Sequence, residues 1–374
     1  MSKHRKRYEL RFTPLTPIHI GTGDEIDPLE YKIVAKKDGG KRLYRLNLPT
    51  MIESLSSQKR EFFLQLLDGN DMIKLRQFVF DNVDIQRHGF YDVVVNDSVY
   101  DVYQRKRSNQ DNSLRINPMY RRLDTWQAVI PGSSIKGAIR TAVLSSELNE
   151  NYKRASNPPD TQSWGWEHKV LKATKPNDDP FRTVLIEDIT LPKDAMIVAE
   201  TDITYMNPSK QSDEAGGIQQ FYEMTFAYLM QEEMEGMGSL TLLPGLRQRI
   251  NTLQQQNTVE IDHTKIVQCC KNFYRKRMEE EHKNFYSKRK RESICNISEQ
   301  LLDISYGDLE FPIRLGHFSH CESMTIDNYR NPQTRRNKKT QSYLPWGTTR
   351  ALAFGEFPMG WAKISLIPIN DAEG

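Results

Sequence analysis

The sequence is poor in cysteine, in long apolar runs and in net charge. Its four cysteines, Cys269, Cys270, Cys295 and Cys321, form no Cys-x-x-Cys pair and no spacing typical of disulfides, which fits a reducing cytosol. No apolar run approaches the ~20 residues that a membrane helix needs. The basic N-terminus leads into residues 8–12 without an apolar signal region. Composition therefore argues against a membrane-spanning chain, and a formal net charge of +3 leaves the partner open.

The length and the apolar content set the scale of the fold. A chain of 374 residues, 37% of them hydrophobic, is long enough for about two domains with real cores. We find no internal repeat of fixed period. Charged residues make up 27% of the chain and occur in clusters, so the clusters are more informative than their sum.

The stretch 131–140, which reads PGSSIKGAIR, carries the strongest local signal. The apolar run 126–130 before it predicts a buried strand, and apolar residues at helical spacing after it predict a helix. Pro131 and Gly132 would make the bend between strand and helix. The stretch is therefore predicted to be a strand-to-helix turn.

The start of this helix is a candidate anion site. Ser133 or Ser134 can cap the first free backbone N–H groups, and the helix dipole favours an anion there. Lys136 and Arg140 are four residues apart and would share one helix face, which could follow a phosphate backbone. The alternative is an ordinary capped helix with two solvated basic residues.

Three stretches resemble one known family. PGSSIKGAIR, 131–140, is similar to the strand–turn–helix signature of the RAMP proteins, the RNA-binding subunits of type III CRISPR effector complexes. TPLTPIHIGTG, 13–23, resembles the first strand and His-x-Gly-x-Gly turn of that family. TTRALAFGEFPMGWAKI, 348–364, is similar to the closing strand pair of one subgroup, the fifth Csm subunit of the type III-A complex. The three stretches span nearly the whole chain in the expected order.

The resemblance implies a fold and a set of partners. The fold would be α+β, with two ferredoxin-like (RRM-like) domains of RAMP architecture, 1–190 and 191–374. The chain would cap the 3′ end of the crRNA, contribute to crRNA maturation and antiviral defence, and act in the prokaryotic cytoplasm. Implied partners are crRNA, the backbone RAMP subunit and the small subunit of the Csm complex, target RNA and a trimming nuclease. No cofactor is implied.

The first half of the chain predicts strands wrapped around helices. We expect a strand at 8–20, a hairpin of strands 29–36 and 42–48, and a helix from a capping box at 50–53 to Gly69. Two further strands, 90–95 and 98–103, could pair across Asn96-Asp97. Next come two basic clusters, 105–107 and 121–122, which would contact RNA or simply be solvated.

The loop region 151–181 carries Trp164 and Trp166, predicted to pack on a neighbouring surface. It ends in Asp-Pro-Phe-Arg, 179–182, which resembles a family stretch and leads into a strand at 183–189. The domain boundary is placed just after that strand.

The second half predicts a strand at 197–205, a strand at 218–229 whose run also fits a helix, and then a helix over 264–291 with an apolar stripe and a basic end, 288–291. That end would suit the helix dipole or dock RNA or a partner. Residues 311–326 correspond to the glycine-rich loop of the family and are followed by a polar, basic stretch, 328–342.

The glycine-rich loop departs from the family pattern. It keeps Arg314 and Gly316 but has histidines where further glycines are expected, which weakens the case for close backbone approach to phosphate. His317, His320 and Cys321 match no standard zinc spacing, and a fourth ligand is not evident. We therefore expect no metal here.

The sequence leaves two functions open. The first is a non-catalytic RNA-binding subunit with these predicted RNA contacts: Gly21, Thr22, Gly23, Ser133, Ser134, Lys136, Gly137, Arg140, Arg314, Gly316, His317 and Arg350. The second is a metal-independent RAMP endoribonuclease that processes CRISPR repeat RNA and needs a general acid and base. His19 is the histidine beside a family motif, but it lacks a visible catalytic partner, which favours a strand residue with a packing or hydrogen-bonding role. Asp24 and Glu25 could assist a metal-dependent cut, although a solvated turn explains them as well.

Overall fold

The structure is a computed structural model that describes residues 5–107, 114–152, 165–173, 175–206, 220–232, 234–254, 257–287, 292–326 and 347–369. The strands are β1 (Lys6–Pro14), β2 (Tyr31–Ala35), β3 (Lys41–Leu46), β4 (Gly89–Val95), β5 (Ile116–Asn117), β6 (Val129–Ile130), β7 (Val184–Ile186), β8 (Ile189–Thr190), β9 (Met196–Tyr205), β10 (Gln220–Thr225), β11 (Gly236–Leu242), β12 (Glu310–Arg314), β13 (Thr349–Ala353), β14 (Phe357–Pro358) and β15 (Trp361–Ile369). The helices are α1 (Leu48–Ser54), α2 (Ser57–Asp68), α3 (Met72–Asn82), α4 (Ile85–His88), α5 (Asp97–Lys106), α6 (Gly132–Tyr152), α7 (Trp166–Val170), α8 (Pro244–Gln254), α9 (His263–Glu281), α10 (Glu292–Asp303) and α11 (His320–Met324).

The strands form two sheets. The first sheet has the order β12-β15-β1-β11-β8-β6, with β7 also paired to β11, and its pairs are antiparallel. The second has the order β14-β13-β9-β4-β3-β2, with β10 between β9 and β5. Both sheets take strands from either side of residue 190, so the boundary predicted there does not separate one sheet from the other. The predicted α+β class is confirmed.

The main core runs between the sheets and the long helices. It extends from Tyr8 in β1 to Leu366 in β15, and it includes the buried faces of α6 and α9, which pack on each other. Helices α1 to α4 form an insertion with a separate small core around Met51 and Phe63. In the described part of the chain, no helix is long and apolar enough to cross a membrane.

Several predicted elements hold. The hairpin of β2 and β3 pairs in register from Tyr31–Arg45 to Ala35–Lys41. Strand β9 matches the predicted strand 197–205, and β10 occupies the middle of the run predicted as a strand at 218–229. The strand predicted at 126–130 is limited to Val129–Ile130, because Trp126 has a φ of 54° and belongs to the turn before it.

Four predicted elements are corrected, two of them in the first half of the chain. The run predicted as a strand at 98–103 is helix α5, because Asn96 caps its start and Val99, Val102 and Tyr103 bury at helical spacing. The helix predicted from 50 to 69 is broken into α1 and α2 at Leu55-Ser56, and its first cap is Asn47 instead of Thr50.

The long helix of the second half is also shorter than predicted. Helix α9 is capped by Asp262 and ends at Glu281, where a π-helical turn, His282–Tyr286, takes over. The strand predicted at 183–189 is two short strands, β7 and β8, preceded by a 3-10 turn, Pro180–Thr183.

Candidate nucleic-acid interface

Three separate stretches of the chain meet at one open cleft of about 660 Å³. They are the turn after β1, the first turns of α6 and the loop after β12. Eight of the twelve predicted RNA contacts line this cleft: Gly21, Gly23, Ser133, Ser134, Gly137, Arg314, Gly316 and His317. Thr22, Lys136, Arg140 and Arg350 are not among its lining residues.

Backbone hydrogen bonds and one obligatory glycine hold the turn after β1 against the loop after β12. The His317 N–H donates to the carbonyl oxygen of His19 at 2.9 Å. Gly360, between β14 and β15, connects the two segments, since its N–H donates to the Pro17 carbonyl oxygen at 2.9 Å and its carbonyl oxygen accepts from the Leu315 N–H at 2.8 Å. Gly316 has a φ of 88°, and a Cβ there would lie 2.2 Å from the His19 carbonyl oxygen. Only glycine therefore allows this loop to approach the turn so closely.

The start of α6 is built differently from the predicted cap. The helix begins at Gly132, whose N–H donates to Asp188 Oδ1 at 2.8 Å, so an acidic side chain from another segment caps it. A Cβ on Gly132 would lie 2.2 Å from the Ile186 carbonyl oxygen, which explains the glycine at the bend. Ser133 and Ser134 lie inside the first turn of α6 and line the cleft.

The two basic residues of α6 differ in their surroundings. Arg140 pairs with Glu167 at 2.9 Å and with Asp179 at 2.8 Å, and its guanidinium stacks over Phe181. These carboxylates offset its charge, so we do not retain Arg140 as a phosphate contact. Lys136 has no ion pair to any residue that the structure describes; burial lowers the pKa of Lys136, Asp179 opposes the shift and Arg140 adds to it.

Arg350 and Arg314, both predicted as RNA contacts, instead belong to a buried ion cluster. Arg350 Nε donates to Glu281 Oε1 at 2.5 Å, and Arg314 Nη2 lies 2.9 Å from the same oxygen. The second Glu281 oxygen accepts from Trp361 Nε1 at 3.1 Å, and Glu322 pairs with Arg350 at 3.2 Å. Burial would raise the pKa of Glu322, but Arg350 holds it below its usual value. Both guanidiniums are therefore committed inside the protein.

His19 lies at the buried floor of the cleft. Its Nδ1 is 2.7 Å from the carbonyl oxygen of Glu223, and because a carbonyl only accepts, Nδ1 carries the proton. Burial lowers the pKa of His19 to about 4; the bond to Glu223 opposes this shift and the nearby His317 adds to it. The His19 ring packs edge-on to Tyr222, with centroids 4.8 Å apart. His19 is therefore neutral at physiological pH.

Sequence reasoning missed a second buried carboxylate behind the cleft. Glu223 accepts from Tyr91 at 2.9 Å and from the Met119 N–H at 3.0 Å, and it pairs with Arg121 at 3.2 Å. Arg121, half of a predicted basic cluster, is thus internal. A glutamate between Tyr222 and Met224, in the middle of the buried strand β10, is the signal that could have revealed this site.

The remaining candidates take other roles. Asp24 lines the cleft, whereas Glu25 pairs with Arg115 at 3.0 Å. His317, His320 and Cys321 do not form a metal-ligand group in the described part of the chain. Trp166 is partly buried against the main core. Trp164 and the basic stretches 288–291 and 328–342 lie outside the described residues.

Comparisons with known proteins agree with this architecture. The RAMP superfamily model matches residues 11–196. Two curated relatives, both described as the CRISPR system Cms protein Csm5, come from Methanocaldococcus jannaschii and Streptococcus thermophilus. The first is 26% identical over 38% of this chain and 32% of its own length, and the second is 29% identical over 50% and 53%. The matched regions thus span about a third and about half of those relatives.

Two solved structures share the fold. A chain from a cryo-EM structure of a Csm–crRNA–target RNA ternary complex in a type III-A CRISPR-Cas system superposes with a TM-score of 0.67 and 20% identity, covering 96% of this chain and all of that chain. The crystal structure of T. onnurineus Csm5 gives a TM-score of 0.56 and 15% identity over 94% of this chain and 99% of that chain. The RAMP superfamily model covers two of the sequence motifs, 13–23 and 131–140, and assigns the chain to that superfamily, whereas the solved structures show the shared fold.

Proposed function

We propose that this chain is a non-catalytic subunit of a type III-A CRISPR effector complex and that it holds the 3′ portion of the crRNA along the cleft. The observation that carries the proposal is the meeting of three distant motifs, 13–23, 131–140 and 311–317, at one open surface. The Csm5 relatives and the Csm complex with a similar chain support the same assignment. Partners would be crRNA, target RNA, the backbone and small Csm subunits, and a trimming nuclease.

The chemistry of the cleft suits contacts to an RNA backbone. Gly21, Gly23 and Gly137 leave the protein backbone open at its surface, and a Cβ on Gly23 or Gly137 would meet no atom within 4 Å. The hydroxyls of Ser133 and Ser134 can donate to phosphate or exchange hydrogen bonds with a 2′-OH. Such groups hold RNA without reading its sequence.

A non-catalytic role is favoured by the state of His19. A general base works best with a pKa near the operating pH, whereas the pKa of His19 is about 4. One observation keeps the endoribonuclease alternative testable. The centroids of the His317 and His19 rings are 6.2 Å apart, so His19 has a second histidine nearby, a proximity that the sequence did not show. RNA cleavage by purified protein that His19→Ala and His317→Ala both abolish would favour that enzyme.

The binding proposal is tested with Lys136→Ala. The phosphate contact of one cation on a single strand contributes roughly 0.7 to the slope of log K against log salt, so the variant should lose roughly that amount for unrelated RNA sequences. Filter binding across a salt series measures the slope. Lys59→Ala is the matched control. Lys59 is exposed on α2, in the insertion that has its own small core, and does not line the cleft, so this variant should keep the wild-type slope. A folded Lys136→Ala with an unchanged slope would exclude Lys136 as a phosphate contact and count against RNA along this face of α6.

A further inference from the structure

A cluster of three metal-ligand side chains lies at the junction of α9 and α10, apart from the cleft residues. One nitrogen of His282, the Cys295 sulfur and one carboxylate oxygen of Glu299 all lie within 4.8 Å of one another. Cys295 and Glu299 are four residues apart on α10 and share a helix face. Cys295 Sγ donates to Glu299 Oε1 at 3.4 Å. Among the residues that the structure describes, no other group of three His, Cys, Asp or Glu side chains meets this criterion.

The proton of His282 is fixed by a neighbouring serine. Ser298 Oγ donates its hydrogen to the Cys295 carbonyl oxygen at 2.8 Å and also lies 2.8 Å from His282 Nδ1. A hydroxyl has one hydrogen, so Ser298 must accept from Nδ1–H. This leaves the lone pair of Nε2 free for a metal. A second-shell hydrogen bond to the other ring nitrogen is the usual arrangement of a ligating histidine.

Buried packing holds the two ligand-bearing elements together. His282 opens the π-helical turn, in which Phe285 and Tyr286 are buried, and these two side chains form a small core with Ile294 of α10 and Leu352 of β13. Because Ile294 precedes Cys295, this core fixes the start of α10 relative to His282. π-Helical turns within helices often occur at functional sites.

We propose that His282, Cys295 and Glu299 bind a zinc-class divalent cation. Imidazole nitrogen, thiolate sulfur and carboxylate oxygen are the ligands that Zn²⁺ takes in proteins, with water or another donor in a fourth position. Binding converts the Cys295 thiol to a thiolate, and its proton is released to solvent. Because His282 directly follows Glu281, the last residue of α9, the metal links the end of α9 to α10. It binds independently of RNA.

The test uses full-length protein freed of metal with a chelator and titrated with Co²⁺, then Zn²⁺. Co²⁺ should produce a sulfur-to-cobalt charge-transfer band with the visible bands of a tetrahedral site, and Zn²⁺ should displace it. Zn²⁺ at about 100 times its Kd should raise the melting temperature by roughly 3 °C. Absence of the charge-transfer band in the wild type overturns the proposal.

Variants test whether these three side chains, and not the His320–Cys321 pair elsewhere in the chain, bind the metal. Cys295→Ser should abolish the charge-transfer band, and Ser298→Ala should weaken Co²⁺ binding about 10- to 100-fold through loss of ring orientation. Cys321→Ser, next to His320, is the matched control and should keep the band. Glu299→Gln alters an exposed side chain, so folding should survive, and it should weaken binding. A band that persists in Cys295→Ser, or disappears in Cys321→Ser, places the metal elsewhere.

Discussion

The cleft and the Glu281 ion cluster lie on either side of one short loop and use similar residues in opposite ways. In the cluster, Arg314 and Arg350 are buried against Glu281, Glu322 and Trp361. Two residues beyond Arg314, the chain turns outward, and Gly316 and His317 face the cleft. The stretch 311–317 therefore contains two kinds of residue. Arg314 stabilises the interior beneath the cleft through an ion pair, and Gly316 and His317 form the cleft surface.

This difference has an energetic consequence. A charge inside the protein must be compensated there, because burial without a partner costs several kcal/mol. A charge at the cleft can be removed at little cost to folding. Substitutions in the cluster should thus act on stability, and substitutions at the cleft should act on RNA binding.

Glu281→Gln should have the largest effect. It keeps the size of the side chain but leaves Arg314 and Arg350 with Glu322 as the remaining carboxylate of the cluster. Removing one partner of a buried ion pair costs about 3–5 kcal/mol, and we expect a loss of that order in the free energy of unfolding, measured by chemical denaturation.

The matched control for this prediction is Glu279→Gln on the same helix. Glu279 pairs with Arg275 at 3.3 Å, and both side chains are largely exposed, so the change should stay within about 0.5 kcal/mol. Equal losses in the two variants would contradict the view that the cluster supports the fold.

His19 shares a feature with each region, because its side chain is buried and it also lines the cleft, and its pH dependence is the second prediction. The pKa of the ring falls from 6.5 to about 4 on folding, so between these values the unfolded chain binds more protons. The stability that neutral His19 preserves is complete above pH 6.5 and is lost as the pH falls toward 4. At 1.36 kcal/mol per unit the loss amounts to about 3 kcal/mol.

Urea denaturation from pH 7.5 to 4 measures this loss. His19→Asn can still donate to the Glu223 carbonyl but cannot titrate, so its stability should depend less on pH in this range. His317→Asn, on the solvent side of the same cleft, should keep most of the wild-type pH dependence, because burial of His19 and not the nearby His317 is the main cause of the shift. Parallel curves for wild type and His19→Asn would contradict the assignment of the shift to His19.

Local patterns in the sequence predicted the elements that local physics decides. The Gly-rich hairpin of β2 and β3, the strand β9 and the helix after Pro131 all follow from turn chemistry and apolar spacing. The same reasoning failed at 98–103, where Asn96 and the following Asp97 were taken for a hairpin turn although they begin a helix. Asn and Asp serve both purposes, and only the partners of Val99 and Val102 decide between them.

The sequence predicted which segments form the cleft better than it predicted the ion-pair partners of the basic residues in those segments. The stretches 13–23, 131–140 and 311–317 indicated the cleft, but nothing near Arg140 in the sequence reveals Glu167 and Asp179, and Glu281 lies 69 residues from Arg350. A basic residue in a motif therefore looks the same whether its charge is neutralised inside the protein or left for RNA. Tertiary contacts supply that distinction.

Gly137→Ala should have the smallest effect on stability and the opposite sign. Gly137 lies on the cleft side of α6, and a Cβ there would meet no atom within 4 Å. Glycine in a helix interior costs roughly 0.5–1 kcal/mol relative to alanine, so the variant should be more stable by that amount. Because nothing in the described part of the protein requires a glycine here, RNA passing close to the helix backbone is the reason we expect for it. The added methyl should then weaken RNA binding, by roughly tenfold if it costs 1.4 kcal/mol of contact energy. Denaturation and filter binding on the same samples measure both effects.

The matched control is Thr252→Ala, at an exposed position on α8, which also raises helix propensity and should leave RNA binding unchanged. A Gly137→Ala protein that is more stable and binds RNA like the wild type would mean that RNA does not approach α6 at this position, and that the cleft binds it through the turn after β1 and the loop after β12 alone.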